Sequence, residues 1–258
     1  MQPTIIITGA SRGLGAATAR QLAQLGANLV LNARSERLLT ALAHEINEQG
    51  GQALAVAGDV SQPAVCDALV AAALETFGGV DTLINNAAVL EPIASIAETD
   101  VRAWRRHIDI NLIGPYLLTR AALPSLRERH GRVINVSSGA AVSVLAGWSA
   151  YCASKAALNQ LSASVALEEP DVTSLAVRPG KVDTDMQAVL RQAGATGMAS
   201  ADHRRFVQHF EKGELLPPER PAAALAALAL AAPHDWSGQF ISWNDPQVQM
   251  LVQSRIKD

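Results

Sequence analysis

The chain has 258 residues, 49% of them apolar, and a formal net charge of −3. A chain of this length and composition can bury one large core, so we expect a single α/β domain over residues 1–258. The basic residues are dispersed, which argues against a nucleic-acid partner. The densest basic run, residues 102–107, is interpreted as a solvated helix face or a subunit contact.

Cysteine, histidine and hydropathy patterns argue against several other classes of protein. Cys66 and Cys152 form neither a CxxC pair nor a disulfide framework, which fits a reducing compartment. The six histidines lack HxxxH or HxH spacing, so we interpret them as surface or packing residues and expect no metal site. No apolar run reaches the ~18 residues of a membrane span, and no basic leader precedes the first strand. We therefore expect a cytoplasmic protein without membrane partners.

Short apolar strands alternate with helix-length segments along the chain. The predicted strands are TIIIT, NLVLN, QALAVA, TLINN, RVINVS, TSLAVR and QFISW. The predicted helices cover residues 13–25, 36–49, 63–77, 100–129, 150–168 and 219–231. This alternation is typical of a doubly wound, seven-stranded parallel sheet of the Rossmann type. Residues 181–217 are interpreted as an irregular substrate-covering loop or lid, since long insertions in compact domains are usually functional.

The first predicted strand runs directly into a glycine-rich segment. Gly9, Gly13 and Gly15 have TGxxxGxG spacing and lead into an alanine-rich helix. Glycines let the backbone approach a pyrophosphate, and the following helix N-terminus presents free N–H groups to it. Glycines that only shape a turn are the alternative, but the strand-to-helix context favours a dinucleotide site.

A tyrosine and a lysine stand one helical turn apart in the run SAYCASKAAL. The ammonium of Lys155 is expected to lower the pKa of Tyr151 from its usual value near ~10, which would make the phenol a usable general acid or base. Ser138, which follows the strand RVINV, can hydrogen-bond a substrate oxygen. A Tyr and a Lys on a solvated helix face are the alternative interpretation.

Together these motifs resemble the short-chain dehydrogenase/reductase family over nearly the whole chain. The family's usual NNAG reads NNAA here, so the backbone at Ala88 is less free than a glycine would be. The resemblance rests on residues that occur in the family's order: TGASRGLG at 8–15, Asp59-Val60, NNAA at 85–88, Asn111, Ser138, Tyr151, Lys155, Pro179-Gly180 and Thr184.

The resemblance also implies which residues act on the substrate and hold the dinucleotide. The implied catalytic residues are Asn111, Ser138, Tyr151 and Lys155. The implied cofactor residues are Gly9, Ser11, Arg12, Gly13, Leu14 and Gly15 in the glycine loop, Asp59 and Val60 near the adenine, Asn85 and Ala87 along the ribose, Tyr151, Lys155, and Pro179, Gly180, Val182 and Thr184 facing the nicotinamide.

The residues after the second strand predict NADP(H) rather than NAD(H). Enzymes that choose NAD place an Asp or Glu there, whereas this chain has Ala33 followed by Arg34. A guanidinium suits the oxygens of a 2′-phosphate, and the resemblance associates Arg12 with NADP as well. The alternative is that both arginines are merely exposed.

Asn111 lies four residues before Pro115 in the longest predicted helix. Proline removes a helical hydrogen bond and typically bends or bulges the preceding turn. The resemblance implies that a water held there connects Lys155 to solvent and resupplies protons to Tyr151. A packing role is the alternative for an isolated helical asparagine.

The predicted activity is NADPH-dependent reduction of a small carbonyl compound, with Tyr151 as proton donor. The alternatives are an NAD(P)-linked secondary-alcohol dehydrogenase and a non-catalytic dinucleotide-sensing protein. The runs SGQFISWND and PGKVDTDM look similar to the sepiapterin reductase and benzil reductase branch, which implies a ketone or diketone with an aromatic or pterin-like ring. In that branch Asp245 would anchor a pterin-like substrate, although it equally suits a turn before Pro246. The family also implies a homodimer or homotetramer.

Overall fold

The structure is a computed structural model that describes residues 2–256. Its centre is a sheet of seven parallel strands in the order β3-β2-β1-β4-β5-β6-β7. The strands are β1 (Thr4–Thr8), β2 (Asn28–Ala33), β3 (Gln52–Ala57), β4 (Thr82–Asn85), β5 (Arg132–Val136), β6 (Thr173–Arg178) and β7 (Phe240–Ser242). The predicted fold class and all seven predicted strands are confirmed. Strands covered on both faces read as continuous apolar runs, and this makes them recognisable in the sequence.

Helices cover both faces of the sheet. They are α1 (Gly13–Gln24), α2 (Glu36–Glu48), α3 (Pro63–Phe77), α4 (Val101–Ile108), α5 (Gly114–Glu128), α6 (Ser149–Glu168), α7 (Asp185–Gly197), α8 (Ser200–Glu211), α9 (Glu219–Ala231) and α10 (Pro246–Ile256). One apolar core joins the sheet to α1, α2, α9 and α10, and a second joins it to α3 and α5.

Two predictions of secondary structure were wrong in part, and one helix was missed. The single helix predicted over residues 100–129 is divided by a π-helical turn, Asp109–Ile113, because Pro115 has no N–H to continue the α-helical pattern. Residues 181–217 are not irregular, since they contain α7 and α8. Gly194 and Gly197 weaken helix propensity there, so packing supports α7. The C-terminal α10 was not predicted.

The chain order of the strands reverses between β1 and β4, and the loops that follow these two strands meet. The side chain of Asn86 donates to the carbonyls of Thr8 (2.9 Å) and Gly9 (3.2 Å). The Thr8 hydroxyl accepts from the backbone N–H groups of Asn86 and Ala87, each at 3.0 Å. Open α/β sheets bind ligands at such a reversal, outside the carboxyl ends of the strands.

Candidate active site

The glycine loop is packed so closely that a side chain at its glycine positions would be strained or would clash with neighbouring atoms. Gly9 and Gly13 have φ values of +64° and +54°, in the left-handed region that favours glycine. A Cβ on Gly15 would lie 2.3 Å from the Gly9 carbonyl oxygen and 2.6 Å from Nδ2 of Asn86. The predicted Ser11 and Leu14 complete this loop, with Leu14 buried at the start of α1. The bare backbone and the free helix N-terminus fit a dinucleotide pyrophosphate.

The departure from the family's NNAG has no conformational cost. Among residues 2–256 the non-glycine position with positive φ is His130, so Ala88 adopts a backbone that any residue tolerates.

The two arginines expected near the adenosine end differ in their surroundings. Arg34 is exposed after β2 and forms no hydrogen bond or ion pair within the part of the chain that the structure describes. The guanidinium of Arg12 lies 2.7 Å from the carboxylate of Asp185 at the start of α7, and both side chains are about two-thirds exposed. Only Arg34 is therefore free of a competing carboxylate.

Two further residues of the adenosine region are held by partners of their own. The Asp59 carboxylate accepts from the backbone and hydroxyl of Ser61 and pairs with Arg106 of α4. The buried Asn85 donates to Asn135 (2.9 Å) and Thr119 (3.2 Å). The Asn85 amide thus belongs to an internal polar network, and the expectation that Asn85 lines a ribose stays a prediction for its backbone. Val60 is buried next to Asp59, and Ala87 keeps a half-buried position.

The predicted nicotinamide segment, residues 179–184, leads into the lid, which we define as residues 181–217. Gly180, after Pro179, has a φ of +82°. The two ends of the lid are paired through their backbones. The N–H of Leu216 donates to the Lys181 carbonyl, and the N–H of Asp183 donates to the Leu216 carbonyl, so that Val182 lies opposite Leu216. The Thr184 methyl group lies 3.0 Å from where a Cβ on Gly13 would stand. The lid therefore begins in contact with the glycine loop.

Ser138, Tyr151 and Lys155 converge at the carboxyl end of β5. Lys155 is 3% exposed, and its ammonium donates to the Val136 carbonyl at 2.7 Å. The same ammonium lies 5.8 Å from the centre of the Tyr151 ring, which is 7% exposed. The Ser138 hydroxyl accepts from the N–H of Ala140 at 3.2 Å and begins a 3₁₀ turn, Gly139–Val142.

The electrostatics of this trio correct one sequence-based expectation. Burial raises the pKa of Tyr151, while a hydrogen bond with Ser138 acts in the opposite direction. The net shift is thus opposite to the lowering expected from Lys155, whose ammonium also donates to a backbone carbonyl. Burial in turn lowers the pKa of Lys155 to about 8. The phenol therefore stays protonated at neutral pH and is set to donate a proton rather than to accept one.

Asn111 lies fully buried in the π-helical turn, as the position of Pro115 predicts for a bulge. Its side chain accepts from the N–H of Val89 and donates to the carbonyl of the same residue, both at 2.9 Å. It also contacts His107, which is 1% exposed and not a surface residue. Sequence reasoning missed His107 as a site residue, although its spacing of four residues from Asn111 on a helix was a usable signal.

Tyr151 belongs to a buried apolar cluster, and three members of that cluster, Leu190, Met198 and Phe206, come from the lid. The Trp148 ring meets the Tyr151 ring edge-on at 5.4 Å and stacks on Phe206 of α8 at 5.5 Å. We define the apolar wall as the buried cluster Leu90, Ala140, Trp148, Tyr151, Leu190, Met198 and Phe206. The sequence analysis did not single out Trp148 or Phe206, because only the fold brings them together.

Asp245 shapes the turn after β7. Its carboxylate accepts from the N–H of Ser242 at 2.7 Å, and its own N–H bonds the Ser242 carbonyl at 3.1 Å. This geometry favours the turn interpretation, and substrate anchoring by Asp245 stays a prediction.

Neither a metal cluster nor a membrane-spanning helix occurs in the described chain. Within residues 2–256, no three His, Cys, Asp or Glu side chains are grouped to hold a metal ion. Over the same residues, no helix combines the length and apolarity needed to cross a membrane.

Comparison with known proteins gives consistent matches over almost the whole chain. A family model described as short chain dehydrogenase matches residues 3–195. A benzil reductase ((S)-benzoin forming) of Saccharomyces cerevisiae is 35% identical over 96% of this chain and 98% of its own. A solved short-chain dehydrogenase/reductase from the same yeast is 38% identical with a TM-score of 0.93, covering 96% of this chain and 99% of that one. A Thermococcus sibiricus alcohol dehydrogenase complexed with 5-hydroxy-NADP is 29% identical with a TM-score of 0.79, covering 95% and 99%.

Proposed function

Because the chain belongs to the short-chain dehydrogenase/reductase family, we propose that it is an NADPH-dependent carbonyl reductase acting on a small ketone or diketone. The observation that carries this proposal is the convergence of Ser138, Tyr151 and Lys155 beside an apolar wall, at the sheet edge that holds the glycine loop. An oxidoreductase of this family acting on CH–OH or C=O groups needs a proton donor at such a position.

The proposed chemistry assigns each side chain one task. When bound, a reduced nicotinamide supplies the hydride that the carbonyl carbon receives. Tyr151 donates its phenol proton to the carbonyl oxygen, so that the ketone becomes a secondary alcohol and the cofactor is oxidised. Ser138 donates a hydrogen bond to that oxygen as its charge grows. Lys155, protonated at neutral pH, stabilises the resulting phenolate until solvent returns the proton.

A benzil reductase relative and the buried, protonated Tyr151 phenol favour reduction over the alternative, an NAD(P)-linked alcohol dehydrogenase. Oxidation of an alcohol needs a phenolate as base, whereas reduction needs the protonated phenol that burial maintains. The intact Tyr151 and Lys155 likewise disfavour a non-catalytic, dinucleotide-sensing protein.

The preference for NADPH rests on Arg34. Its guanidinium is exposed and unpaired within residues 2–256, directly after Ala33, which stands where NAD-dependent enzymes carry an acid. One structural relative was solved with an NADP derivative. Arg12 contributes only if Asp185 releases it.

The apolar wall favours an aromatic diketone over a pterin-like ring. Trp148, Leu190, Met198 and Phe206 offer apolar surface around Tyr151, and one relative is a benzil reductase. A pterin ring would need polar partners, and the carboxylate expected to supply them, Asp245, is engaged with Ser242. Assembly into a homodimer or homotetramer and a cytoplasmic location stay predictions.

The experiment that tests the cofactor assignment compares kcat/KM for NADPH and NADH, with benzil as the carbonyl substrate. We expect a clear preference for NADPH, reduced or inverted in Arg34→Asp. The matched control is Arg37→Asp, an equal charge change on an exposed arginine of α2. Equal kcat/KM values for the two cofactors in the unmodified enzyme would refute the assignment. An equal loss in the control would attribute the effect to overall charge.

A further inference from the structure

His107 is a buried imidazole on α4, whose two nitrogens have three polar neighbours. Nδ1 lies 2.8 Å from the Glu91 carbonyl oxygen. Nε2 lies 2.8 Å from Nδ2 of Asn111 and 3.1 Å from the Ser154 hydroxyl. The ring also meets Tyr151 edge-on, with 6.0 Å between the ring centres. A group this well connected, next to Tyr151, has no task in the mechanism above.

The donors and acceptors around the ring determine its tautomer. A carbonyl only accepts, so Nδ1 of His107 carries the proton and donates to Glu91. The Asn111 amide nitrogen only donates, so Nε2 accepts from it. The second Asn111 proton goes to the Val89 carbonyl, and the Ser154 hydroxyl donates to the carbonyl of Tyr151 at 2.9 Å. A neutral Nδ1–H imidazole satisfies every group.

These hydrogen bonds tie α4 and the π-helical turn to the loop that follows β4. We call the bonds from His107 and Asn111 to the backbone of residues 89–91, with the bond between the two side chains, the clamp. Asn111 holds the backbone of Val89, and His107 holds the carbonyl of Glu91. Between these two residues lies Leu90, which is buried in the apolar wall with Tyr151. Loss of the imidazole acceptor would free both the Asn111 amide and the loop that carries Leu90.

We propose that His107 is a positioning residue, whose neutral imidazole fixes the orientation of Asn111 and the Val89–Glu91 backbone for catalysis by Tyr151. The inference rests on the proposed carbonyl reduction. Its contribution is to kcat rather than to dinucleotide binding, because neither His107 nor its partners belong to the glycine loop.

The clamp also makes the reaction sensitive to acid. Burial lowers the pKa of His107 below its usual value, the hydrogen bond to the Glu91 carbonyl acts in the opposite direction, and the charge of Lys155 adds to the lowering. From α6 the imidazole faces the Tyr151 ring and the Lys155 charge, and from the loop it faces the Glu91 carbonyl. Protonation would turn Nε2 of His107 into a donor that faces the Asn111 amide, which is also a donor, so the hydrogen bond between them would be lost. We therefore expect kcat to fall as the pH drops through the pKa of His107.

Two substitutions distinguish the bond from His107 to Asn111 from the bond from His107 to Glu91. In His107→Gln the amide oxygen is three bonds from Cβ, as Nε2 is, and can accept from Asn111. In His107→Asn the amide nitrogen is two bonds from Cβ, as Nδ1 is, and can only reach Glu91. We expect kcat to fall about tenfold or more in His107→Asn, the size expected for a lost buried hydrogen bond. His107→Gln should retain most of the activity and lose the acid limb of its pH profile.

The Michaelis constant for NADPH should stay unchanged in both variants. The same two substitutions at His44, an exposed residue of α2, serve as controls for general effects. Equal losses of kcat in His107→Gln and His107→Asn would overturn the proposal and leave His107 as a packing residue. So would a fall in kcat that is matched by a rise in the KM for NADPH.

A second measurement needs neither substrate nor turnover. Nitrogen-15 NMR of the imidazole groups, with the His107 signals assigned by their loss in His107→Gln, should show the neutral Nδ1–H tautomer at neutral pH. An Nε2–H tautomer or a charged ring would refute the clamp. If no carbonyl compound is reduced by the unmodified protein, the proposed function fails, while the tautomer still decides whether the clamp exists.

Discussion

Replacing Lys155 with Met should make the protein more stable at neutral pH while abolishing turnover. The ammonium is 3% exposed, and its hydrogen-bond partner is the carbonyl of Val136. Methionine keeps the length and much of the volume of the lysine stem without the buried charge. Sites built for chemistry commonly contain such a stability cost.

The expected gain in the free energy of unfolding follows from the lowered pKa of Lys155. A lowering from 10.5 to about 8 corresponds to a penalty of about 3 kcal/mol for holding the charged form in the folded protein. Loss of the bond to Val136 offsets about 1–2 kcal/mol of that gain. The net increase in the free energy of unfolding at pH 7 is then about 1–2 kcal/mol, which raises Tm by roughly 2–8 °C for a chain of this size.

The lowered pKa of Lys155 also determines how the stability of the unmodified protein changes with pH. Because the folded pKa is depressed, the unfolded chain binds more protons between pH 8 and 10.5, so Lys155 makes the unmodified protein more stable as the pH rises through this window. The penalty is complete below the folded pKa of about 8. In Lys155→Met this rise should be absent.

Urea unfolding at several pH values, without added dinucleotide, measures the difference. The exposed Lys212→Met serves as the matched control and should leave the free energy of unfolding unchanged. Parallel stability curves for Lys155→Met and the unmodified protein across this pH window, together with a lower stability of the variant at pH 7, would refute the reasoning.

Three further substitutions test other parts of the site. Tyr151→Phe should lower kcat at least ~10²-fold while NADPH still binds in a fluorescence titration, and retained activity would assign the proton to another group. Gly15→Ala brings a methyl group to 2.3 Å from the Gly9 carbonyl oxygen, so NADPH affinity should fall at least tenfold, and an unchanged Kd would contradict that crowding. Asp245→Ala removes the bond to Ser242 and should lower stability by about 1 kcal/mol, with equal kinetic effects on aromatic diketones and pterin-like carbonyls; a selective loss for pterins would instead support substrate anchoring.

Local sequence patterns predicted the frame of the molecule well. The seven strands are short runs rich in apolar residues, and the glycine loop follows β1 as its spacing indicates. The π-helical turn appears where Pro115 predicts a disturbed helix. Each of these features depends on residues that are close in the chain.

Features that depend on distant residues were missed or misjudged. The stacking of Trp148 on Phe206 joins segments 58 positions apart, and the Asn85 network joins three elements. Lys155 was expected to lower the pKa of Tyr151, but burial of the phenol by distant parts of the chain raises it. Helix α7 depends on packing rather than on propensity, so periodicity alone did not indicate it.

The most direct test of the account follows the hydride itself. NADPH carrying deuterium at the transferable position of its nicotinamide ring is incubated with benzil and the enzyme, and the hydroxyketone product is analysed by mass spectrometry. The account predicts one deuterium on the carbinol carbon for each NADPH oxidised, with turnover lost in Tyr151→Phe. Oxidation of NADPH without deuterium in the product, or no product with NADPH at all, would contradict it.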